Sequence, residues 1–496
     1  MIGLRRRLMG TNDGRNKIVI IPSQDSPQMY FAGTDIVVKS KSCNVKYEIC
    51  YSGTPIYPPI KAGEEVTILS HNITFFACRY VQEFTTIKNL SIKQVYINNS
   101  TPLEKIIITD CPELTTISAE RAGGVNSGNL QSVDLSNCAK LTTINLSYNG
   151  GLSDLKLDNS NSITALNINF TKVNSLDITN MLQLKDLQCA GTKINVLDTS
   201  KNENLEVLKL GYANYSSQVD TVDLSNNKKL KVFQCAGTNN TGQLPELDLS
   251  NNTELTEVDV LGTFPTLDVS NSPNITSLIV SSTGLTSFSI GNKPNIKTLS
   301  IKAAKITSVD VSQCTTLTSL TIACNLQTLD ISSLANLTNL ELSGSTSLSF
   351  VDTSNNTKLS KYNVYNSHIS KVDVSNNTAL TSMDIRASRV RKVDLSTCPN
   401  ITTFICNNNG QFIALNMIGC SKLNTINLQV NGLKDIRCSL SNTTFVNNLK
   451  TQLSTYGSGR AGTIYTDDDS SAIADVCASV GWSIKTLSEA PDFDTI

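Results

Sequence analysis

Charge is scarce in this chain. Of its 496 residues only 17% are Asp, Glu, Lys or Arg, with 41 basic against 42 acidic side chains and a formal net charge of −1. Soluble proteins average about 25%, so Ser, Thr and Asn must cover much of the surface. The even balance offers phosphates no general attraction, which argues against nucleic acid as a partner. Histidine is nearly absent, with His71 and His368 far apart, and there is one tryptophan. No H-E-x-x-H, G-x-S-x-G or phosphate-binding loop occurs. Acid–base chemistry would have to rest on carboxylates, and no pair of them stands out. We therefore expect no enzyme, no cofactor and no metal. No run of about 18 apolar residues exists, so no membrane insertion is expected. The opening MIGLRRRLMGTNDGRNK carries Arg5, Arg6 and Arg7 but lacks the apolar stretch of a secretory signal. That points to a soluble product made in the cytoplasm.

Fourteen cysteines are present without one C-x-x-C, which disfavours zinc and thioredoxin-like chemistry. What the chain has instead is repetition. From about Leu114 to Leu428 one pattern recurs fifteen times, its first apolar position stepping mostly by 20–22 residues with longer steps of 27, 25 and 25. In one copy, Leu380–Val390 reads L-x-x-L-x-L through Leu380, Met383 and Ile385, and Arg391–Pro399 supplies V-D-L-S. A period in the low twenties with this leucine spacing is the signature of a leucine-rich-repeat solenoid. Alternation points Met383 and Ile385 inward and leaves Ser382, Asp384 and Arg386 outside. One copy cannot bury its own apolar face; stacking does. The second half also alternates, so a second short extended segment on the opposite wall is expected rather than a helix. The S-N-N and S-T-C pieces that follow are turn chemistry.

Cysteines fall on these positions too. Cys189, Cys235 and Cys406 take the third apolar position of the strand, and Cys111, Cys138, Cys314, Cys398 and Cys420 the turn after the second half. They read as buried free thiols, although Cys398 and Cys420, one copy apart, could be bridged.

The segments VDLSNNKKLKVFQCAGTN, VDVSNNTALTSMDI and VDLSTCPNITTFICNNN resemble a leucine-rich-repeat subclass common in surface proteins of gut Bacteroidetes and in phages that infect them. The resemblance covers about two thirds of the chain and implies the fold. For function it is permissive, because the fold is a frame for a site.

The expected fold is a β-rich leucine-rich-repeat solenoid with an N-terminal antiparallel β module and a small C-terminal α/β cap. Residues 1–13 form a basic segment. Residues 14–88 contain KIVIIP, DIVVK, VKYEICY, EVTILS and ITFFAC, which read as the β module. Half-copies in 89–113 would cap a solenoid spanning 114–438. The tail, 439–496, reads α-β-α-β and would cover the last apolar layer; a similar segment closes many of the proteins the repeats resemble.

Four constellations deserve weighing. Gly457, Gly459 and Gly462 spell G-x-G-x-x-G but follow a helix and precede a strand, the reverse of a nucleotide loop. Asp467, Asp468 and Asp469 sit where a helix starts and suit capping better than calcium. A column of aspartates (Asp177, Asp198, Asp223, Asp248, Asp268, Asp310, Asp330, Asp352, Asp373 and Asp394) repeats once per copy and would repel unless each has donors; the following S-N-N turn can supply them. The best candidate binding surface is Lys361, Asn363 and Tyr365 on one strand with Asp384, Arg386 and Arg389 in the next copy, beside His368, Arg391 and Lys392. Tyr212 and Tyr215, in an extra loop of a 25-residue copy, form a second.

These readings, with the resemblance, point to a non-enzymatic structural or recognition protein. A virion component (fibre, tail appendage or capsid decoration) is expected first. Residues 1–100 would mount it on other virion subunits or on further copies, and the solenoid would face a host glycan or protein. A bacterial surface adhesin or an intracellular interaction module is the alternative.

Overall fold

The computed structural model describes residues 16–22, 29–34, 36–39, 44–47, 61, 65–70, 72–78, 81–98, 103–120, 130–158, 161–211, 218–235, 244–430, 432–455 and 461–496. It forms two compact units, Met1–Leu255 with Val260–Gly262, and Thr256–Asp259 with Thr263–Ile496. Both are built as parallel β-solenoid.

In the second unit the front wall is a ladder of short parallel strands: Ser277–Ser282, Thr298–Ala303, Ser319–Cys324, Asn339–Ser343, Lys361–Tyr365, Ser382–Asp384, Thr403–Ile405 and Thr425–Asn427. They stack in register, so Leu278, Leu299, Leu320, Leu340, Tyr362, Met383, Phe404 and Ile426 form one inward column. All eight are buried, and each such side chain contributes roughly 1.5–3 kcal/mol on leaving water. The first unit repeats the plan with Thr116–Ser118, Thr143–Asn145, Ala165–Asn167, Asp186–Gln188, Val207–Gly211 and Val232–Cys235.

The expected second extended segment is there and forms ladders in three stretches. These are Lys105–Thr109 with Ser132–Asp134 and Asp154–Lys156, then Thr266–Asp268 with Ser287–Ser289, then Lys392–Asp394 with Ala414–Met417 and Asp435–Cys438.

The N-terminal strands are antiparallel among themselves. Asn16–Pro22 lies between Val66–Ser70 and Val81–Ile87, and Met29–Thr34 pairs with Asn72–Cys78. They also run into both walls. Val81–Ile87 pairs in parallel with Lys105–Thr109, and Asn72–Cys78 with Gln94–Tyr96. The apolar edge of the first turns is therefore covered by backbone pairing, which leaves no bare sheet edge there.

At the other end, the helix Thr443–Ser454 starts at Asn442, whose side chain accepts from the Phe445 amide, and buries Phe445, Val446, Leu449 and Leu453. It packs on Thr425–Asn427. Strands Thr463–Tyr465 and Ser483–Lys485 extend the second wall from Asp435–Cys438. The helix Ser471–Val480 between them stops at Gly481, whose φ of +79° supplies the left-handed residue a helix end needs.

Inside the second-half turns runs a column the sequence reading treated only as turn chemistry. Asn377 Nδ2 donates to Thr353 O at 3.1 Å and Asn356 O at 2.9 Å in the preceding copy. Asn202, Asn227, Asn252 and Asn356 do the same in theirs. Where the position is Cys, the thiol faces the same carbonyls, as in Cys398 to Val374 O and Cys420 to Leu395 O. Lys293 also occupies it, fully buried, with Nζ 2.8 Å from Val269 O and its pKa pushed down by burial. Cys398 and Cys420 are thus buried thiol donors rather than a bridge.

The asparagine Oδ1 is satisfied where the preceding copy places threonine: Asn227 accepts from Thr199, and Asn377 from Thr353. Where that residue is Ile178 or Ile331, the Oδ1 of Asn202 or Asn356 stays unpartnered. The column's satisfaction is therefore readable one repeat upstream.

Candidate functional site

Register places the candidate residues. In the second unit's front wall, Asn339, Lys361 and Ser382 share one row; Glu341, Asn363 and Asp384 the next; Ser343 and Tyr365 a third. Arg386 follows Asp384 two residues on, and His368 and Arg389 lie in the turns after their strands. The structure thus brings Lys361, Asn363, Tyr365, Asp384 and Arg386 together on this wall, with Arg389 in the turn that follows. Tyr212 and Tyr215 lie outside the described residues.

The centre of this face is Tyr365. Its hydroxyl donates to Glu341 Oε1 at 2.6 Å, and that bond pushes its pKa up. The Arg386 guanidinium sits 5.8 Å from its ring centroid, within cation–π range. Arg386 is in turn held by Asp384, Nη2 to Oδ2 at 2.7 Å and Nε to Oδ1 at 3.1 Å. This two-pronged pairing fixes the fork. It also corrects one expectation: Asp384 points outward by the pleat, yet it is only 7% exposed, because Arg386 lies against it. Glu341 was missed in the sequence. Its signal was there, since it stands in register with Asn363 and Asp384.

Beside this cluster, Arg389 Nη2 lies 2.9 Å from His368 Nε2. Arginine only donates, so Nε2 accepts and the imidazole proton sits on Nδ1. Asn363 Oδ1 is buried without a protein partner. The face therefore offers a braced aromatic ring, a fixed guanidinium and a second cation. That is the composition of binding hot spots.

The competing constellations resolve into structure. Each column aspartate accepts the amide of the residue two positions on, such as Asp198 from Ser200, Asp310 from Ser312 and Asp373 from Ser375, at 2.9, 2.9 and 3.0 Å. These turn bonds hold the carboxyls of Asp198, Asp310 and Asp373 below the usual range, while the next carboxylate along opposes the shift at Asp310 and Asp373. Of the tail triplet, Asp469 caps Ser471, Asp468 ties down Ser439 and Leu440, and Asp467 accepts from Leu487. Gly462 abuts the Trp482 ring and gives way directly to the strand Thr463–Tyr465; Gly457 and Gly459 lie outside the described residues. Among the described residues no group of three or more His, Cys, Asp or Glu is placed to hold a metal, and no helix is long and apolar enough to cross a membrane.

The parallel-ladder solenoid agrees with solved structures. The functional domain of InlJ from Listeria monocytogenes, which includes a cysteine ladder, superposes with a TM-score of 0.51 at 22% identity, over 76% of this chain and 75% of that one. The chain has the leucine-rich-repeat fold. An internalin, InlF, from the same species gives 0.40 at 20% identity over 57% and 82%. A leucine-rich-repeat protein of Bacteroides thetaiotaomicron gives 0.35 at 13% over 70% and 52%. No family model and no curated protein matches the chain.

Proposed function

We propose that this leucine-rich-repeat protein is a non-enzymatic recognition module, and that the face around Tyr365, Arg386 and Arg389 is where it binds. The observation carrying this is the bracing of Tyr365 by Glu341 and Arg386 and of Arg386 by Asp384. A half-buried ring and an exposed guanidinium fixed before binding lose little side-chain entropy on contact, which is what makes such residues anchors. The partner would be a protein or glycan on a host surface.

In the setting we favour, the chain is part of a virion, with residues 1–100 against other virion subunits or further copies. A bacterial surface adhesin or an intracellular interaction module would use the same face. The parallel pairing of Asn72–Cys78 and Val81–Ile87 into the solenoid ties any mount at this end directly to both walls of the first unit.

The test is binding of the labelled chain to cells of gut Bacteroidetes, wild type against the triple substitution Tyr365→Ala, Arg386→Ala, Arg389→Ala. We expect the variant to lose at least about tenfold in affinity, from anchors each contributing more than about 1 kcal/mol. Unchanged binding by a folded variant would remove this face from the reading. Negative-stain imaging of purified phage labelled with an antibody to the chain separates the virion setting from the other two.

A further inference from the structure

A second surface of the same unit lies on the outer side of the second wall. On Ala414–Met417 and Asp435–Cys438 every residue is buried, although alternate side chains point away from the interior. Their cover is the segment Leu487–Ile496. The Phe493 ring lies 4.8 Å from the Arg437 guanidinium and 5.5 Å from Lys392 Nζ. Arg437 Nη2 donates to Pro491 O at 2.6 Å, and Lys392 Nζ to Phe493 O at 2.7 Å, with Asp494 Oδ1 3.9 Å away. Arg437 itself is braced by Asp435 at 3.2 Å and by the Tyr465 ring at 5.9 Å.

The geometry points to a peptide-docking site at this wall, for a partner segment carrying an aromatic residue between two carboxylates. What Lys392 and Arg437 hold is one ring and two main-chain carbonyls, features that any chain of that kind presents. The covering segment has the sequence Asp492-Phe493-Asp494 and shows how such a motif seats itself. Its hold is narrow: Ser488, Glu489, Pro491, Asp492, Asp494 and Thr495 are exposed, and its only regular structure is two short 3₁₀ turns. Segments with so few buried contacts open locally most readily.

The surface also extends past the cover. A groove of about 740 Å³ runs beside Phe493–Ile496, lined from the wall by Lys371, Arg391, Lys392, Asp373 and Asp394 among others. Both aspartates already accept their own turn amides, from Ser375 and Ser396, and Asp435 is committed to Arg437. Those amide bonds stabilise the two carboxylates without cancelling their charge, so Lys371, Arg391 and Lys392 stand against two negative charges in that lining, and the one positive charge in excess favours an acidic occupant longer than the covering segment. This site is on a different wall from the Tyr365 face and stands or falls without it.

The test uses the full chain carrying Phe493→Ala, which vacates the cation pair, and a fluorescein-labelled peptide spanning residues 486–496, read by anisotropy. We expect the peptide to bind the Phe493→Ala chain at least tenfold more tightly than wild type, whose own segment competes. The same peptide with alanine at the Phe493 position should not bind, and a chain carrying both Phe493→Ala and Arg437→Ala should not capture the intact peptide. No binding to a Phe493→Ala chain with native circular dichroism would overturn the proposal, as would equal binding to wild type. A wild-type dimer that becomes monomeric on Phe493→Ala substitution would assign the site to a second copy instead and overturn the foreign-peptide occupant.

Discussion

Replacing Asn377 with alanine isolates what the interior amide column contributes. The residue is fully buried, and its Nδ2 serves two carbonyls, Thr353 O at 3.1 Å and Asn356 O at 2.9 Å. Each acceptor keeps one backbone donor, the Asn356 amide on Thr353 O at 3.0 Å and the Leu359 amide on Asn356 O at 2.9 Å, so alanine removes the second bond of each and orphans neither. Two buried hydrogen bonds at about 0.5–1.5 kcal/mol each give a loss of about 1–3 kcal/mol. Its neighbour Asn376 is the control. It is exposed, its Nδ2 reaches Ser354 O at 3.4 Å, and water replaces that bond, so Asn376→Ala should cost under about 0.5 kcal/mol. Asn377→Cys should fall between the two, because Cys398 shows a thiol occupying the same position one copy on, Sγ 3.8 Å from both Val374 O and Asn377 O. Urea unfolding followed by far-ultraviolet circular dichroism gives the differences from the midpoints if the slope is unchanged. Equal losses for Asn376→Ala and Asn377→Ala, or a loss under about 1 kcal/mol for the latter, would refute the reasoning.

Other expectations follow from the same geometry. Ala387 has φ of +48°, where an L residue is strained, so Ala387→Gly should stabilise the fold by up to about 1.5 kcal/mol after the extra flexibility of glycine in the unfolded chain is subtracted, read as a higher melting temperature; a lower melting temperature would contradict this. Arg437→Met leaves Asp435, 5% exposed, with its charge uncompensated and should cost about 3 kcal/mol or more in urea unfolding. Acid should destabilise the fold through the aspartate column. The carboxyls of Asp310, Asp330, Asp352 and Asp373 are held below the usual range by the amide and hydroxyl of the serine two residues on. Their folded pKa values lie below the unfolded value of about 3.9, so their contribution is complete above about pH 4 and is lost as pH falls through the depressed values. A melting temperature that stays flat from pH 5 to pH 2 would show that the column contributes nothing.

Much of the molecule is legible in the residue pattern. Leucine spacing predicts the front strands, V-D-L-S predicts the second extended segment and its aspartate turns, and the tail's helices and strands appear in the α-β-α-β order that its pattern predicts. Local rules suffice there because each repeat contacts its neighbours and the same choice recurs at every turn. The rows on which Asn363, Tyr365 and Asp384 stand were legible for the same reason, while Glu341 was passed over because polarity alone does not show which side chain will bond to Tyr365.

The sequence by itself determined the solenoid, its inward column and the row on which each surface residue stands, since all three follow from a two-residue alternation repeated at fixed period. Tertiary structure alone decided three things. It buried Asp384 under Arg386, joined the antiparallel N-terminal strands to both walls, and laid Phe493 between Lys392 and Arg437. The last pairing spans 101 residues to Lys392, and the strand pairing is selected by which backbone edge is left open. Contacts of that kind follow from closing an exposed sheet edge or covering an outer wall, and no local periodicity encodes them.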